Sequence, residues 1–158
     1  MKLLFGFLIT FIFFYVFTSC SSVNDTDVTE PNITTTSYNG INYALTIHGN
    51  QFSQQDTLTI DFQVRNAKPY IKKLYFTNLP ELCYQLKSKS GDKCVNYPNI
   101  NLPAGITHYI KPGATKSFNA ISLFKDHNGV LLEKGDYVLT AFLGNSNSPK
   151  LKLFISLY

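Results

Sequence analysis

The sequence feature that most constrains the fold is the regular alternation of apolar and polar residues in short runs. A period of two is the period of a β-strand that buries one face and exposes the other, as antiparallel sheets allow. Residues 41–48 and 150–158 show the same alternation, and the part of the chain after the leader has no helical period. The alternation is strictest in the run whose apolar members are Leu58, Ile60, Phe62 and Val64.

Turns rich in Gly, Pro, Asn and Asp separate about eight such runs, roughly every 8–12 residues. The sequence therefore predicts an all-β fold, an antiparallel β-sandwich of about seven to nine strands in residues 38–158. Residues 83–87 and 93–97 are expected to form a hairpin around a turn at residues 88–92. Pro98 to Gly105 contains two prolines and is expected to be a loop.

Near the end of the chain, Leu132, Gly135 and Tyr137 have the spacing Leu-x-x-Gly-x-Tyr. This spacing resembles the tyrosine corner of immunoglobulin-like sandwiches, in which the tyrosine hydroxyl bonds back to the backbone a few residues upstream. The resemblance implies that Tyr137 is a structural residue at the start of the strand before the last. It also implies an immunoglobulin-like topology.

The first residues of the chain predict secretion. Lys2 is followed by an uncharged apolar run from Leu3 to Phe17, which matches the basic and apolar regions of a signal peptide. The run is shorter than the roughly 18 apolar residues typical of a membrane-spanning helix. We therefore interpret residues 1–19 as a cleaved leader.

The leader ends in Phe17-Thr18-Ser19-Cys20, which resembles the lipobox of bacterial lipoproteins. The resemblance implies that Cys20 is fatty-acylated, that it becomes the first mature residue, and that membrane lipid is a partner. Ser21 favours the outer membrane in such proteins, so the expected location is the cell envelope. The alternative is ordinary cleavage that leaves Cys20 as a free thiol, and it does not explain a lone cysteine directly after an apolar run.

Residues 20–37 are interpreted as the lipidated N-terminus and a flexible tether, because they are polar and lack any apolar face. Residues 21–37 carry three acidic side chains and no base, whereas the chain from Tyr38 onward has thirteen Lys or Arg against seven Asp or Glu. A net charge of +6 can favour contact with an anionic headgroup surface. The bases are scattered, so the sequence excludes a nucleic-acid footprint.

Cys83 and Cys94 remain once Cys20 is assigned to lipid. In an oxidising compartment, an even remainder on a hairpin predicts a disulfide, worth about 3 kcal/mol or slightly less. A metal site would need further ligands at nearby spacing, and the sequence has none. We therefore expect no metal and no cofactor.

The sequence also argues against an enzyme. His48, His108 and His127 lie in separate contexts, and neither a Gly-x-Ser-x-Gly elbow nor a His-Glu-x-x-His motif is present. A glycosidase needs two facing carboxylates. The available acids, Asp56, Asp61 and Asp136, are better explained as solvated or structural residues. No small-molecule substrate is evident.

Residues 58–66, the turn Lys111-Pro112-Gly113 and residues 132–143 together resemble the BsuPI-type proteinase inhibitor domain, over roughly residues 41–157. The resemblance implies an inhibitor, which would present a loop such as Pro98 to Gly105. We favour another hypothesis, a non-catalytic binding or assembly module in the cell envelope. It would contact an envelope or extracellular protein through sheet edges, loops or exposed aromatic residues. A third hypothesis is a lipoprotein subunit of a secretion apparatus. The candidate aromatic residues are Tyr75, Tyr84, Tyr109 and Phe154.

Overall fold

A computed structural model describes residues 30–98, 102–144 and 147–158. The leader, Cys20 and residues 20–29 of the expected tether lie outside the described residues, so lipidation stays a prediction. The described part contains no helix long and apolar enough to cross a membrane. It forms eleven strands: β1 (Pro31–Tyr38), β2 (Ile41–His48), β3 (Gln51–Phe52), β4 (Thr57–Asn66), β5 (Lys72–Leu79), β6 (Leu82–Ser88), β7 (Cys94–Tyr97), β8 (Leu102–Ile110), β9 (Thr115–Leu123), β10 (Gly135–Leu143) and β11 (Leu151–Leu157).

Two sheets make up a β-sandwich. One has four strands in the order β1-β2-β4-β9, and the other has five in the order β3-β11-β10-β6-β7. Neighbouring strands are antiparallel, except that the short β3 runs parallel to β11. β5 and β8 form a separate two-stranded arm. The predicted antiparallel sandwich is confirmed: its two sheets contain nine of the described strands, and the arm adds the other two.

The core lies between the two sheets and is built by the alternating residues of the sequence. All four apolar side chains of the run in β4 are 0% exposed, and Phe62 is the largest of them. Their counterparts in β2 and β11 are also buried. Each such side chain contributes about 1.5–3 kcal/mol by leaving water. The period of two therefore predicts correctly which residues face inward.

β1 corrects the expected tether. Pro31–Tyr38 pairs with β2 along its whole length, from Pro31 opposite His48 to Tyr38 opposite Ile41. The two strands join through Asn39 and Gly40, whose φ angles are 51° and 70°. Asn-Gly with two positive φ angles is the preferred two-residue hairpin turn. Residues 31–37 are therefore not a flexible tether, and the domain begins before residue 38.

Tyr137 forms the expected corner. Its side chain is 3% exposed, and its hydroxyl donates a hydrogen bond of 2.8 Å to the backbone carbonyl of Glu133. The residue lies near the start of β10, the strand before the last. The structural role predicted for Tyr137 is confirmed.

The predicted hairpin is present as β6 and β7, but the predicted disulfide is wrong. Cys83 and Cys94 are free thiols. Cys94 lies opposite Lys87, four positions along β6 from Cys83. That offset is about 13 Å at the rise of a strand, whereas bridged Cα atoms are about 5–6 Å apart. The turn lies further along the chain than a Cys83–Cys94 disulfide would require, because the Ser88 N–H donates a hydrogen bond of 2.9 Å to the Lys93 carbonyl and closes the turn there.

The expected loop at Pro98 to Gly105 is also partly wrong. Residues 99–101 lie outside the described part of the chain, but β8 already begins at Leu102. Leu102 pairs with Leu79, and Pro103 pairs with Asn78 beside a register shift in β5. Proline is tolerated in a sheet at such irregular positions, since it has no N–H to donate.

Candidate functional site

A groove of about 630 Å³ lies between β9 and the β6–β7 hairpin. We call it the edge groove. One wall is formed by residues 116–122 of β9, and the other by residues 79–82, Tyr84, Tyr97 and Pro98. The groove exists because the two sheets end on this side of the sandwich. β9 is the outermost strand of the four-stranded sheet, and β7 is the outermost strand of the five-stranded sheet.

The β9 wall offers a free backbone edge. β9 pairs with β4 along its whole length, and within the described residues no other backbone hydrogen bond is made by residues 116–122. Two large apolar side chains on its outer side are exposed, Ile121 at 75% and Leu123 at 46%. An exposed edge strand carrying apolar residues can pair with a further strand.

The floor of the groove is aromatic. Tyr84 and Tyr97 face each other across β6 and β7, and their rings stack with centroids 4.8 Å apart and planes 12° from parallel. The Tyr97 hydroxyl donates to the backbone carbonyl of Lys125. Phe118 of β9 is 5% exposed and lies 5.7 Å from Phe76 of the arm. The floor is therefore part of the core, and Tyr84, at 6% exposure, is a core residue and not an exposed contact.

Both tyrosines remain neutral near pH 7. Burial, with a smaller contribution from Tyr84, raises the pKa of Tyr97 to about 12. Burial also raises the pKa of Tyr84, and a hydrogen bond with Ser122 partly offsets that effect. Neither phenol can act as a base at neutral pH. They supply flat apolar area and hydroxyl groups.

A histidine–glutamate pair borders the groove. His108 Nε2 lies 2.5 Å from Glu81 Oε1, and the two side chains are 24% and 20% exposed. The imidazole contacts the rings of Phe76 and Phe118 edge-on, at centroid distances of 5.8 Å and 5.7 Å. Sequence reasoning missed this pair because 27 residues separate its members. His108 lies on β8 and Glu81 in the link between β5 and β6, so their contact is a tertiary one that no local spacing indicates.

The structure does not bring the three histidines to one site. His48 is exposed on the outer face of β2, and His127 contacts Tyr97 edge-on at 6.1 Å. In the part of the chain that the structure describes, no hydroxyl or thiol is hydrogen-bonded to His108. Across the same residues, no three His, Cys, Asp or Glu side chains are close enough to hold a metal.

The three carboxylates considered from the sequence are also separate. Asp56 accepts a hydrogen bond from the Ser53 backbone N–H at 2.7 Å, within a turn. Asp61 accepts one from Gln63 Nε2 at 2.6 Å, and its second oxygen is buried without a partner. Asp136 lies on the other sheet. Hydrogen bonds from Ser156 and then Lys89 lower its pKa. None of these acids faces another as a glycosidase pair would.

The exposed aromatic candidates do not form one surface. Tyr75 and Tyr109 are 53% and 67% exposed on the same face of the β5–β8 arm. Phe154 is 63% exposed on the outer face of the five-stranded sheet. The sequence therefore identified exposed residues correctly in three of four cases, but it could not show that they belong to different faces.

Comparisons with known proteins give only distant likenesses. No family model and no curated protein matches the chain. Among solved structures, the β-glucosidase EmGH1 of Erythrobacter marinus superposes with a TM-score of 0.43 at 15% identity, over 81% of this chain and 16% of that chain. The β-glucosidase of Listeria innocua in complex with isofagomine superposes with a TM-score of 0.44 at 14% identity, over 81% of this chain and 16% of that chain. The alkylpurine DNA glycosylase AlkC of Pseudomonas fluorescens superposes with a TM-score of 0.45 at 12% identity, over 81% of this chain and 30% of that chain. The chain thus spans less than a third of each of these proteins, and we transfer no activity from them.

Proposed function

We propose that this chain is a lipoprotein of the bacterial cell envelope, anchored through Cys20, and that its sandwich is a non-catalytic binding or assembly module. The edge groove is its binding site. The proposed ligand is an extended segment of another envelope protein, which adds to β9 as a further strand. Strand addition takes its affinity from main-chain hydrogen bonds and its specificity from pockets for alternate side chains.

The observation that supports this proposal most is the unprotected edge of β9 beside the groove. Soluble proteins usually block such edges with charges, proline, bulges or covering segments. Residues 115–123 contain no proline and a single charged side chain, Lys116. Ile121 of the same strand is exposed at 75%. A partner strand would cover both the backbone and this side chain.

The polar groups around the groove favour binding over catalysis. His108 is held by Glu81, and the two tyrosines stay protonated at neutral pH. Hydrolysis by a triad needs a nucleophile aligned with the base. The groove instead offers a free strand edge, exposed apolar side chains on β9 and a partly buried histidine–glutamate hydrogen bond, over a floor held rigid by core aromatic residues. Together these features suit recognition of a peptide.

The proteinase-inhibitor hypothesis stays an alternative, with a shorter loop than the sequence predicts. An inhibitor of that kind would present Pro98 to Gly105 as a loop, but Leu102 to Gly105 belong to β8. A role in a secretion apparatus remains a special case of the assembly module. The same capture experiment would identify that partner.

Site-specific photocrosslinking in intact cells tests the binding site. A photoreactive residue at Ile121 is compared with one at Thr59, which is opposite Ile121 in the register and exposed on the neighbouring strand β4. We expect a discrete crosslinked protein from position 121 and none from position 59. Equal capture at both positions, or no capture at either, would contradict the proposed site.

The anchor is tested separately by intact mass. The mature protein should begin at Cys20 and carry the mass of its acyl chains, whereas Cys20→Ala should remain unprocessed and unacylated. Two or more acyl chains are needed for stable anchoring, since a single chain gives only marginal binding. A wild-type chain that starts at residue 20 with an unmodified thiol would refute the anchor.

A further inference from the structure

The outer face of the five-stranded sheet carries a second, smaller groove of about 440 Å³. Its central row follows the strand register. Lys152 of β11 lies opposite Thr140 of β10, which lies opposite Gln85 of β6, and Gln85 lies opposite Asn96 of β7. The remaining lining residues come from the adjacent rows: Lys87, Val138, Phe142 and Lys150. We call this surface the lysine face.

The three lysines of this groove have no acidic partner. In the described part of the chain, neither Lys87 nor Lys150 nor Lys152 lies within 4.0 Å of a carboxylate. No Asp or Glu lines the groove. The acid that β10 places on this face, Asp136, is already bonded to Lys89 at 3.0 Å. Lys150 Nζ lies 5.0 Å from the centre of the Phe142 ring, a contact that leaves its charge in place. Among the described residues no carboxylate neutralises the three ammonium groups, so they can meet an external anion.

The opposite face of the sandwich has no excess of positive charge. On the outer face of the four-stranded sheet, the charged side chains are Arg65 and Asp61, and the other polar residues are mainly Ser, Thr, Asn and Gln. Its formal charge is thus zero. The five-stranded sheet carries Lys87, Lys150 and Lys152 unpaired, in addition to the neutral Lys89–Asp136 pair. Its formal charge is +3, so the positive charge of the sandwich is concentrated on one face.

The chain enters the domain beside that face. Glu30, the first described residue, accepts a hydrogen bond of 3.3 Å from the Gly49 backbone N–H. Two residues later, the Asn32 side chain donates to the carbonyl of Phe154 in β11 at 3.4 Å. Nine residues, 21–29, lie between Cys20 and Glu30, which makes ten Cα–Cα steps. They can span at most about 36 Å.

Aromatic area accompanies the lysines. Phe154 projects from the same face and is 63% exposed, with Lys89 Nζ 5.5 Å from the centre of its ring. Aromatic side chains together with lysines are typical of surfaces at membrane–water interfaces. Each basic residue close to an anionic membrane strengthens binding about fivefold at physiological ionic strength. Three would give roughly a hundredfold.

We infer that the lysine face is a docking surface for the anionic phospholipid headgroups of the membrane that holds the anchor. This inference rests on the proposed function, because the anchored N-terminus is what brings the face to the bilayer. The five-stranded sheet then lies against the membrane. The four-stranded sheet faces away from the bilayer.

The absence of tryptophan from the sequence makes a direct test simple. Phe154→Trp places a single fluorophore on the lysine face, and Thr59→Trp places the matched control on the opposite sheet. The full lipidated protein is reconstituted in vesicles of brominated phosphatidylcholine, with or without phosphatidylglycerol. We expect quenching at position 154 in the anionic vesicles alone, and none at position 59 in either.

The triple variant K87Q/K150Q/K152Q, made in the Phe154→Trp background, should lower the ratio of docked to undocked domain about a hundredfold. Its circular dichroism spectrum should remain that of the parent. A salt concentration near 1 M, where the Debye length is about 3 Å, should abolish the quenching in the parent as well.

The outcomes separate the inference from the function on which it rests. Equal quenching at position 154 in neutral and anionic vesicles, or quenching that survives in the triple variant, overturns the inference while the vesicle-bound protein retains its anchor. A saturable change caused by inorganic phosphate without vesicles would assign the lysines to a free anion and also overturn it. A mature chain without acyl mass refutes the anchor and the inference together.

Discussion

Tyr137→Phe isolates the hydrogen bond of the tyrosine corner. The substitution keeps the ring, which is 3% exposed, and removes the hydroxyl that donates to the Glu133 carbonyl at 2.8 Å. The lost bond is worth about 1 kcal/mol net. A buried orphan carbonyl would add about 1–3 kcal/mol, but Glu133 is exposed, so water can replace the hydroxyl. We therefore expect a loss of about 1 kcal/mol.

Tyr137→Ala removes the ring as well, and losing a buried aromatic ring costs about 3–5 kcal/mol. Urea unfolding of the purified protein, followed by far-ultraviolet circular dichroism, measures both variants. The midpoint should fall while the slope m stays constant, since the surface exposed on unfolding hardly changes. Tyr109→Phe is the control. Its side chain is 67% exposed, and its stability should stay within about 0.5 kcal/mol of wild type.

Two results would refute this reasoning. An unchanged midpoint for Tyr137→Phe would mean that the corner bond adds nothing to the packing of the ring. A loss as large as that of Tyr137→Ala would mean that the hydroxyl, and not the ring, carries the stability of the corner.

Three further predictions concern the core, the thiols and the groove. Phe62→Ala empties a site with 0% exposure and should cost about 3–5 kcal/mol by urea unfolding, whereas Thr59→Ala on the same strand should stay within about 0.5 kcal/mol; similar losses would contradict the burial pattern. Because Cys83 and Cys94 are free, a reductant should not change the melting temperature, and a non-reducing mass that matches an internal disulfide would contradict this. The pKa of Tyr97 is raised from 10.0 to about 12, so its stabilising effect should be complete below pH 10 and lost as the pH rises towards 12. Urea midpoints should therefore fall over that range more steeply in wild type than in Tyr97→Phe, and parallel falls would argue against a buried phenol.

Alternation and turn chemistry were enough to predict the sandwich. In β4, every second residue enters the core, because burial of one face fixes the side-chain period of a strand. Tyr137 was predictable for a similar reason, since the corner is a local motif whose acceptor lies four residues upstream.

β1 could not be found in the same way. Its residues are mostly Ser, Thr and Asn, and none of them belongs to the buried core. The strand is held by backbone pairing with β2, which leaves no pattern in its side chains. The available signal was Asn39-Gly40, a strong hairpin turn directly before an alternating run.

The candidate sites depend on register, which sequence alone did not supply. Cys83 and Cys94 lie on the same hairpin, but the residue opposite Cys94 is Lys87, four positions along the strand from Cys83. The edge groove and the Glu81–His108 pair depend on how sheets and arm meet across long separations in the chain. Lys87 shares a face with Lys150 and Lys152 because β10 pairs with both β6 and β11 and so places these two strands in one sheet.

The position of β1 also determines how the domain responds to mechanical load. If the protein is held at its N-terminus while a partner pulls on the groove, the force first reaches the Glu30–Gly49 hydrogen bond and then Pro31, at the open end of the β1–β2 hairpin. The eight residue pairs of that hairpin must separate before β1 detaches from β2, and β2 then stays paired with β4. Because β1 supplies no buried side chain, it can peel away and re-form while the core keeps its packing.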